Sequence, residues 1–169
     1  AMSKRIVIAL GGNALGNTAA QQLELVSLTA KPIVDLIAAG NEVIIAHGNG
    51  PQVGMINLGL STAAEAGAIK SDMPFPECGA MSQGYIGYDL QNGIREELMN
   101  RGIYRTVSTV LTQVIVDPYD EAFYTPTKVL GRYLNAEEAN LERKKGNYIV
   151  EEPGKGFRRI VSAPNPVSI

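Results

Sequence analysis

Residues 4–13, KRIVIALGGN, and residues 41–50, NEVIIAHGNG, are the two stretches of the chain that decide its fold. Each contains a continuous apolar run, Ile6–Leu10 in the first and Val43–Ala46 in the second, and each run ends at a glycine-rich turn. A short apolar run of this kind is typical of a strand buried on both faces of a parallel sheet. We therefore predict two neighbouring parallel strands.

Residues with helical spacing lie between the two strands and after the second strand. Helical spacing predicts a helix over residues 19–39, with a kink or a broken first turn at Pro32. The apolar stripe of this helix is formed by Leu23, Val26, Ala30, Ile33, Val34 and Ile37. Further helices are predicted over residues 51–67 and 80–101, with a loop rich in Pro and Gly at residues 74–79 between them.

The rest of the chain predicts strands, a short helix and an irregular excursion. Residues 106–116 form a long β-rich segment, and residues 117–134 are predicted to be irregular. Asn135 begins a capping-box pattern that opens a polar helix to about Lys145. Strands at 148–151 and 157–161 then form a hairpin. The order of elements indicates an α/β fold, a layered α/β/α arrangement around a mainly parallel sheet with right-handed crossovers.

Composition narrows the classes of function. The net charge of −2 provides no basic field that would recruit nucleic acid, and no apolar run has the length of about 18 residues that a membrane helix needs. The single cysteine, Cys78, excludes an intrachain disulfide, fits a reducing cytoplasm and is expected to be a small buried or half-buried side chain. With one His and one Cys, a zinc site within the chain is not expected.

The two glycine-rich turns are the candidate site. At the carboxyl ends of adjacent parallel strands, Gly11-Gly12-Asn13 and Gly48-Asn49-Gly50 would lie side by side, where open α/β sheets bind ligands. Glycine lets the backbone approach an anion closely, and free N–H groups at a helix start favour negative charge. The turns therefore indicate either a cradle for phosphate or carboxylate, or tight strand–helix turns that hold no ligand.

Neither turn matches a familiar nucleotide-binding motif. Gly11, Gly12 and Gly16 occupy the first, second and sixth positions, whereas a dinucleotide fingerprint needs the first, third and sixth. A P-loop would need a Lys where Asn17 stands. Any use of ATP would therefore belong to a different family.

Six segments in chain order resemble the motifs of carbamate kinases, which belong to the amino acid kinase family. They are residues 7–15, 44–54, 74–88, 112–114, 126–128 and 156–161. The second of these, IIAHGNGPQVG, is the most specific, and together the segments span essentially the whole chain.

The resemblance implies an architecture and a reaction. Residues 2–169 would form the amino-terminal carbamate or carbamoyl phosphate lobe, with a protruding subdomain at about residues 118–157, and a carboxyl-terminal nucleotide lobe would be missing. Carbamate kinases interconvert carbamoyl phosphate plus ADP with carbamate plus ATP, using Mg²⁺. They are cytoplasmic homodimers that act in arginine degradation.

The resemblance also implies site residues. Gly11, Gly12 and Asn13 match the first phosphate-side loop of the family, and Gly48, Asn49 and Gly50 match the second. Lys128 matches the phosphate-contacting, catalytic Lys on the excursion, and no metal ligand is expected in this chain. His47 is expected to be a hydrogen-bonded residue at a strand end rather than an acid or base.

Three functions remain open at this stage. The first is a carbamate kinase of which this chain is a truncated half, inactive by itself. The second is a stand-alone module that binds carbamoyl phosphate or another anion and dimerises. The third is a related amino acid kinase that acts on a carboxylate.

Overall fold

The computed structural model describes residues 3–11 and 14–169, and the chain divides into two compact units, residues 1–111 and 112–169. The first unit contains β1 (Arg5–Leu10), α1 (Ala19–Ala38), β2 (Glu42–His47), α2 (Gly50–Glu65) and α3 (Phe75–Asn100). The second contains β3 (Ile115–Val116), a 3₁₀ turn (Glu121–Phe123), β4 (Lys128–Leu134), α4 (Ala136–Lys144), β5 (Tyr148–Glu152), β6 (Gly156–Val161) and β7 (Pro166–Ser168).

Strands β1 and β2 pair in parallel and in register, from Arg5 opposite Glu42 to Leu10 opposite His47. The predicted α/β fold with a parallel sheet is confirmed. The prediction that both strands are buried on both faces is wrong for the described residues, because burial alternates along each strand. Val7 is 65% exposed and Ile44 is 50% exposed, since the helices of this unit pack against the opposite face only.

The core of the first unit lies between α1, α3 and the inner face of the sheet. Its buried side chains are Ala30, Ile33 and Val34 of α1 and Ile94 and Leu98 of α3, with Ile8, Val43 and Ile45 of the strands against them. Helix α1 is confirmed and continues past Pro32. The predicted stripe is wrong at Leu23, which is 59% exposed, because the buried row instead runs through Gln22, Val26 and Ala30.

Two further local predictions are wrong. Residues 75–79 are the first turns of α3 rather than a loop, and Pro76 is tolerated there because the N–H that it lacks would have no partner inside the helix. Most of the segment 106–116 is not strand, since only Ile115–Val116 pair, with β7. Instead, Val107 packs on the core and the Thr109 hydroxyl donates to the Gly87 carbonyl (3.1 Å).

The second unit contains an antiparallel sheet in the order β4–β6–β5. The predicted hairpin is confirmed, and so is the helix after Asn135, whose capping box has both hydrogen bonds. The Arg132 guanidinium, together with the Asn135 backbone N–H, lowers the pKa of Glu138 to about 2. The prediction that residues 117–134 are irregular is wrong for Lys128–Leu134, which form β4 and pair with β6. Gly131 (φ +76°) lies in this strand where its pairing register shifts.

Among the described residues, no helix has both the length and the apolar character that crossing a bilayer requires.

Substitutions at two glycines of α3 can test how closely α1 packs on α3. A Cβ at Gly93 would collide with Cγ1 of Val26, whereas a Cβ at Gly84 would meet no atom within 4 Å. We predict that Gly93→Ala lowers the free energy of unfolding in urea by about 1–3 kcal/mol through overpacking. Gly84→Ala, as the matched control, should leave it unchanged or raise it by up to about 1 kcal/mol. Equal shifts for the two variants would contradict this packing.

Candidate functional site

The two glycine-rich turns begin at the same edge of the sheet. The Gly48 N–H donates to the Leu10 carbonyl (2.9 Å) and so extends the parallel ladder by one bond beyond the last residue pair. This bond places Gly11, which follows Leu10, beside Gly48, and the predicted adjacency of the turns is confirmed for these two residues. Gly12 and Asn13 lie outside the described residues, so their predicted role stays a prediction.

The described residues between β1 and α1 form several local contacts. The Ala14 N–H donates to the Gly11 carbonyl (2.9 Å), and the Thr18 hydroxyl caps the helix by accepting from the Gln21 N–H (3.2 Å). Gly16 has φ +74°, and a Cβ there would lie 2.8 Å from the Gln21 Cβ. A side chain at position 16 would therefore be disfavoured both by the backbone conformation and by contact with α1.

The second turn is tied to α3 through Asn49. The Asn49 side chain does not cap its own helix, α2. Its Nδ2 donates to the Ser82 hydroxyl (2.9 Å), which donates in turn to the Gly79 carbonyl (2.6 Å). His47 is half-buried, with Nδ1 2.9 Å from the Gly48 carbonyl oxygen. These contacts fit the expectation for His47, and they give the Asn49 amide a structural task in addition to any contact with a ligand.

The starts of α1 and α2 give this edge a positive electrostatic character. The first hydrogen bond within α2 runs from the Val53 N–H to the Asn49 carbonyl (2.9 Å), so the N–H groups of Gly50 and Gln52 precede the regular helical bonds. Neither helix has an acidic residue in its first turn. An anion beside the two turns would thus meet the positive ends of two helix dipoles without a competing carboxylate from those turns.

Lys128 lies in the other unit. It is the first residue of β4, pairs with Val161 of β6, and its side chain is exposed. Its predicted contact with a phosphoryl group stays a prediction.

A row of buried polar side chains next to the turns was missed by the sequence analysis. Gln22, Gln52 and Asp89 are 1%, 4% and 8% exposed. Gln52 Nε2 donates to Gln22 Oε1 (2.9 Å), and Gln22 Nε2 donates to Asp89 Oδ2 (2.7 Å), so this polar row, Gln52–Gln22–Asp89, joins α2, α1 and α3. The signal that could have revealed it is the four-residue spacing that places Gln22 in line with Val26 and Ala30.

The polar row borders a small pocket within the first unit. The pocket is lined by Gly16, Asn17 and Thr18 after β1, by Pro51, Gln52 and Met55 of α2, and by Gln22 and Tyr85 of α1 and α3. Burial, with a smaller contribution from the Asp89 carboxylate one helical turn away, raises the pKa of the Tyr85 hydroxyl. Tyr85 therefore stays protonated at neutral pH and can donate or accept a hydrogen bond at the pocket wall.

The part of the chain that contains the two turns matches a known protein family. The family described as "Amino acid kinase family" matches residues 4–123 of the chain, a range that includes both turns and the polar row but not Lys128. Curated relatives are similar over nearly the whole chain. The carbamate kinase-like protein YqeA of Escherichia coli is 54% identical over 168 residues, which cover 99% of this chain and 54% of that protein. A carbamate kinase of Staphylococcus epidermidis is 54% identical over 166 residues, 98% of this chain and 53% of that protein.

Solved structures of a carbamate kinase are also similar to this chain. A carbamate kinase from Giardia lamblia bound to AMP-PNP is 36% identical with a TM-score of 0.85, over 98% of this chain and 54% of that one. The same enzyme bound to citric acid is 37% identical with a TM-score of 0.83, over 98% of this chain and 55% of that one. The resemblance to carbamate kinases is thereby confirmed, and the chain spans about half the length of the curated relatives it matches.

The polar row predicts that a Gln→Met substitution lowers stability at buried Gln22 but not at an exposed position. Gln22→Met would leave the buried Asp89 carboxylate without its donor and the Gln52 amide without its acceptor. We predict that the free energy of unfolding in urea falls by about 2–4 kcal/mol. The same substitution at the exposed Gln113 is the control and should change it by less than about 0.5 kcal/mol. A loss no larger than that of the control would show that the row contributes no stability.

Proposed function

Because this chain belongs to the amino acid kinase family, we propose that it forms the carbamoyl phosphate side of a carbamate kinase. Such an enzyme exchanges a phosphoryl group between carbamoyl phosphate plus ADP and carbamate plus ATP. The observation that carries the proposal is the Gly48–Leu10 hydrogen bond, which brings both glycine-rich turns to one edge of the sheet beside two helix N-termini. The similarity to proteins named carbamate kinase supports the choice of this reaction.

In the proposed site, backbone N–H groups provide most of the contacts with the phosphoryl group. A phosphoryl group in transfer carries dispersed negative charge, and the protein contributes mainly positioning and electrostatic stabilisation. The N–H groups of Gly11 and Gly50 would be close to the charged oxygens, because no side chain separates a glycine backbone from its ligand. The Gly48 N–H is engaged by the Leu10 carbonyl, so Gly48 would contribute by leaving room for the ligand beside the backbone. Gly12, Asn13 and Asn49 would complete this cradle. Lys128 would add a point charge to the phosphoryl group, as the matching lysine of the family does.

The proposal assigns no nucleotide-binding role to the residues of this chain. In the proposal ADP or ATP, with Mg²⁺, is held by residues outside these 169, as the chain spans about half the length of its relatives. Among the described residues, no group of three His, Cys, Asp or Glu side chains could hold a metal ion. The isolated chain would then bind carbamoyl phosphate without turning it over.

A homodimer in the cytoplasm, acting in arginine degradation, is part of the same proposal. Support for self-association comes from exposed apolar side chains on α2 and α3, the helices that follow the second turn. These side chains are Met55, Leu58, Met81 and Tyr88.

Lys128 offers a direct test of the proposed site. We predict that carbamoyl phosphate binds the chain in a calorimetric titration and that Lys128→Ala weakens this binding by about tenfold or more, since a charge-assisted hydrogen bond is lost. Lys144→Ala, which removes an exposed charge from the same unit, is the matched control and should bind as the native chain does.

The outcomes separate the parts of the proposal. Unchanged binding by the Lys128 variant would remove that residue from the site and leave the turns in it. No binding of carbamoyl phosphate or inorganic phosphate by the native chain would overturn the proposed function. ATP formation from carbamoyl phosphate and Mg-ADP by the chain alone would contradict only the proposal that it is inactive in isolation.

A further inference from the structure

Residues 104–111, which lie between α3 and β3, form a segment with unpaired backbone groups; we call it the open segment. Among the residues that the structure describes, no backbone N–H or C=O group of the open segment has a hydrogen-bond partner. Its side chains are largely exposed as well, since Tyr104, Val110 and Leu111 are 97%, 75% and 61% exposed. The backbone of the open segment is therefore available to another strand.

The open segment is nevertheless attached to the first unit at two points. Val107 packs against the same cluster of α1 and α3 side chains as Ile8 of β1 and Ile45 of β2. The Thr109 hydroxyl donates to the Gly87 carbonyl (3.1 Å), and a Cβ at Gly87 would collide with the Thr109 side chain. Because these contacts already order the segment, a strand that pairs with it loses less conformational entropy than a strand that pairs with a flexible tail.

The sequence of the open segment is suited to strand pairing. Four of the six residues 106–111 are β-branched, and β-branched side chains pack well in strands. The run 106–116 contains no charged residue, no Pro and no Gly, a composition typical of segments that form strands between chains. Natural edge strands usually carry charges or prolines that prevent such pairing, and this run lacks both.

The charge pattern indicates which strand fits. Arg105 is the one charged residue of the open segment. Parallel, in-register pairing of two copies would place the two Arg105 guanidinium groups side by side, whereas antiparallel pairing places them at opposite ends. A second copy of this chain in the antiparallel orientation therefore avoids charge repulsion, and its two-fold symmetry forms every contact twice.

We propose that two copies of this chain associate by antiparallel pairing of their open segments, through backbone hydrogen bonds between residues 104–111 of each copy. The interface uses the same residues in both copies, so the assembly closes at two. It involves none of the exposed α2 and α3 side chains of the proposed homodimer, and it does not depend on the proposed phosphoryl transfer.

Hydrogen exchange tests this pairing at the amides that would form it. These amides have no partner in the single chain and exchange fast there, whereas pairing engages those that face the second copy. Sedimentation equilibrium first gives the concentrations at which the native chain is a monomer and a dimer. We predict that amides within residues 104–111 exchange about tenfold or more slowly in the dimer. The amides of α4, Ala136–Lys144, are the internal control and should exchange equally at both concentrations.

Substitutions in the open segment test the same interface independently. Val110→Lys places like charges in the paired strands and should weaken the dimer by about tenfold or more. Val167→Lys is the matched control, because Val167 is 67% exposed and lies in β7, and it should leave the dissociation constant unchanged. Arg105→Ala should also leave it unchanged, since antiparallel strands keep the two guanidinium groups apart. Thermal unfolding of each variant checks that it folds.

Each outcome supports or overturns the inference. A native chain that stays monomeric up to about 1 mM would overturn it. A dimer in which residues 104–111 exchange as fast as in the monomer would overturn it and assign the association to the α2 and α3 side chains. Equal weakening by Val110→Lys and Val167→Lys would exclude the open segment from the interface. A tighter dimer of Arg105→Ala would overturn the antiparallel orientation, and growth beyond two copies would overturn the two-fold closure.

Discussion

The in-register parallel pairing of β1 and β2 is the constraint on which the rest of the first unit depends. It continues through the bond from the Gly48 N–H to the Leu10 carbonyl, so both glycine-rich turns leave the sheet at the same edge. The helices that follow must then start side by side, with their positive ends at that edge. A slip of one residue would turn Ile8 and Ile45, which pack on the core, to the exposed face of the sheet and would separate the turns.

The polar row that joins α1, α2 and α3 is buried and hydrogen-bonded. Its members occupy positions where apolar side chains would pack without a desolvation cost, and the hydrogen bonds between them offset that cost except at Gln52 Oε1. The row therefore joins three helices through buried hydrogen bonds and leaves one buried acceptor, Gln52 Oε1, without a partner among the described residues.

Much of the fold could be predicted from the sequence, because apolar runs, glycine stops and a capping box are local signals. The strands, α1 and the helix after Asn135 follow from them, and the adjacency of Gly11 and Gly48 follows from the parallel order. What could not be predicted depends on tertiary partners. Val7 and Ile44 on the outer face of the sheet are exposed. Strand β4 contains Gly131, where its pairing register shifts. The buried position of Gln22 depends on its hydrogen bonds to Gln52 and to Asp89, which lies 67 residues away in sequence.

The central claim is that the two turns together form an anion site. Amide chemical shifts of the ¹⁵N-labelled chain, followed during a titration with inorganic phosphate, test it most directly. The account predicts that the largest changes occur together, with one dissociation constant, at Gly11, Gly48, Gly50 and Gln52, which lie at that edge or in the first turn of α2. Changes confined to residues 112–169, or no saturable change at these four amides, would contradict it.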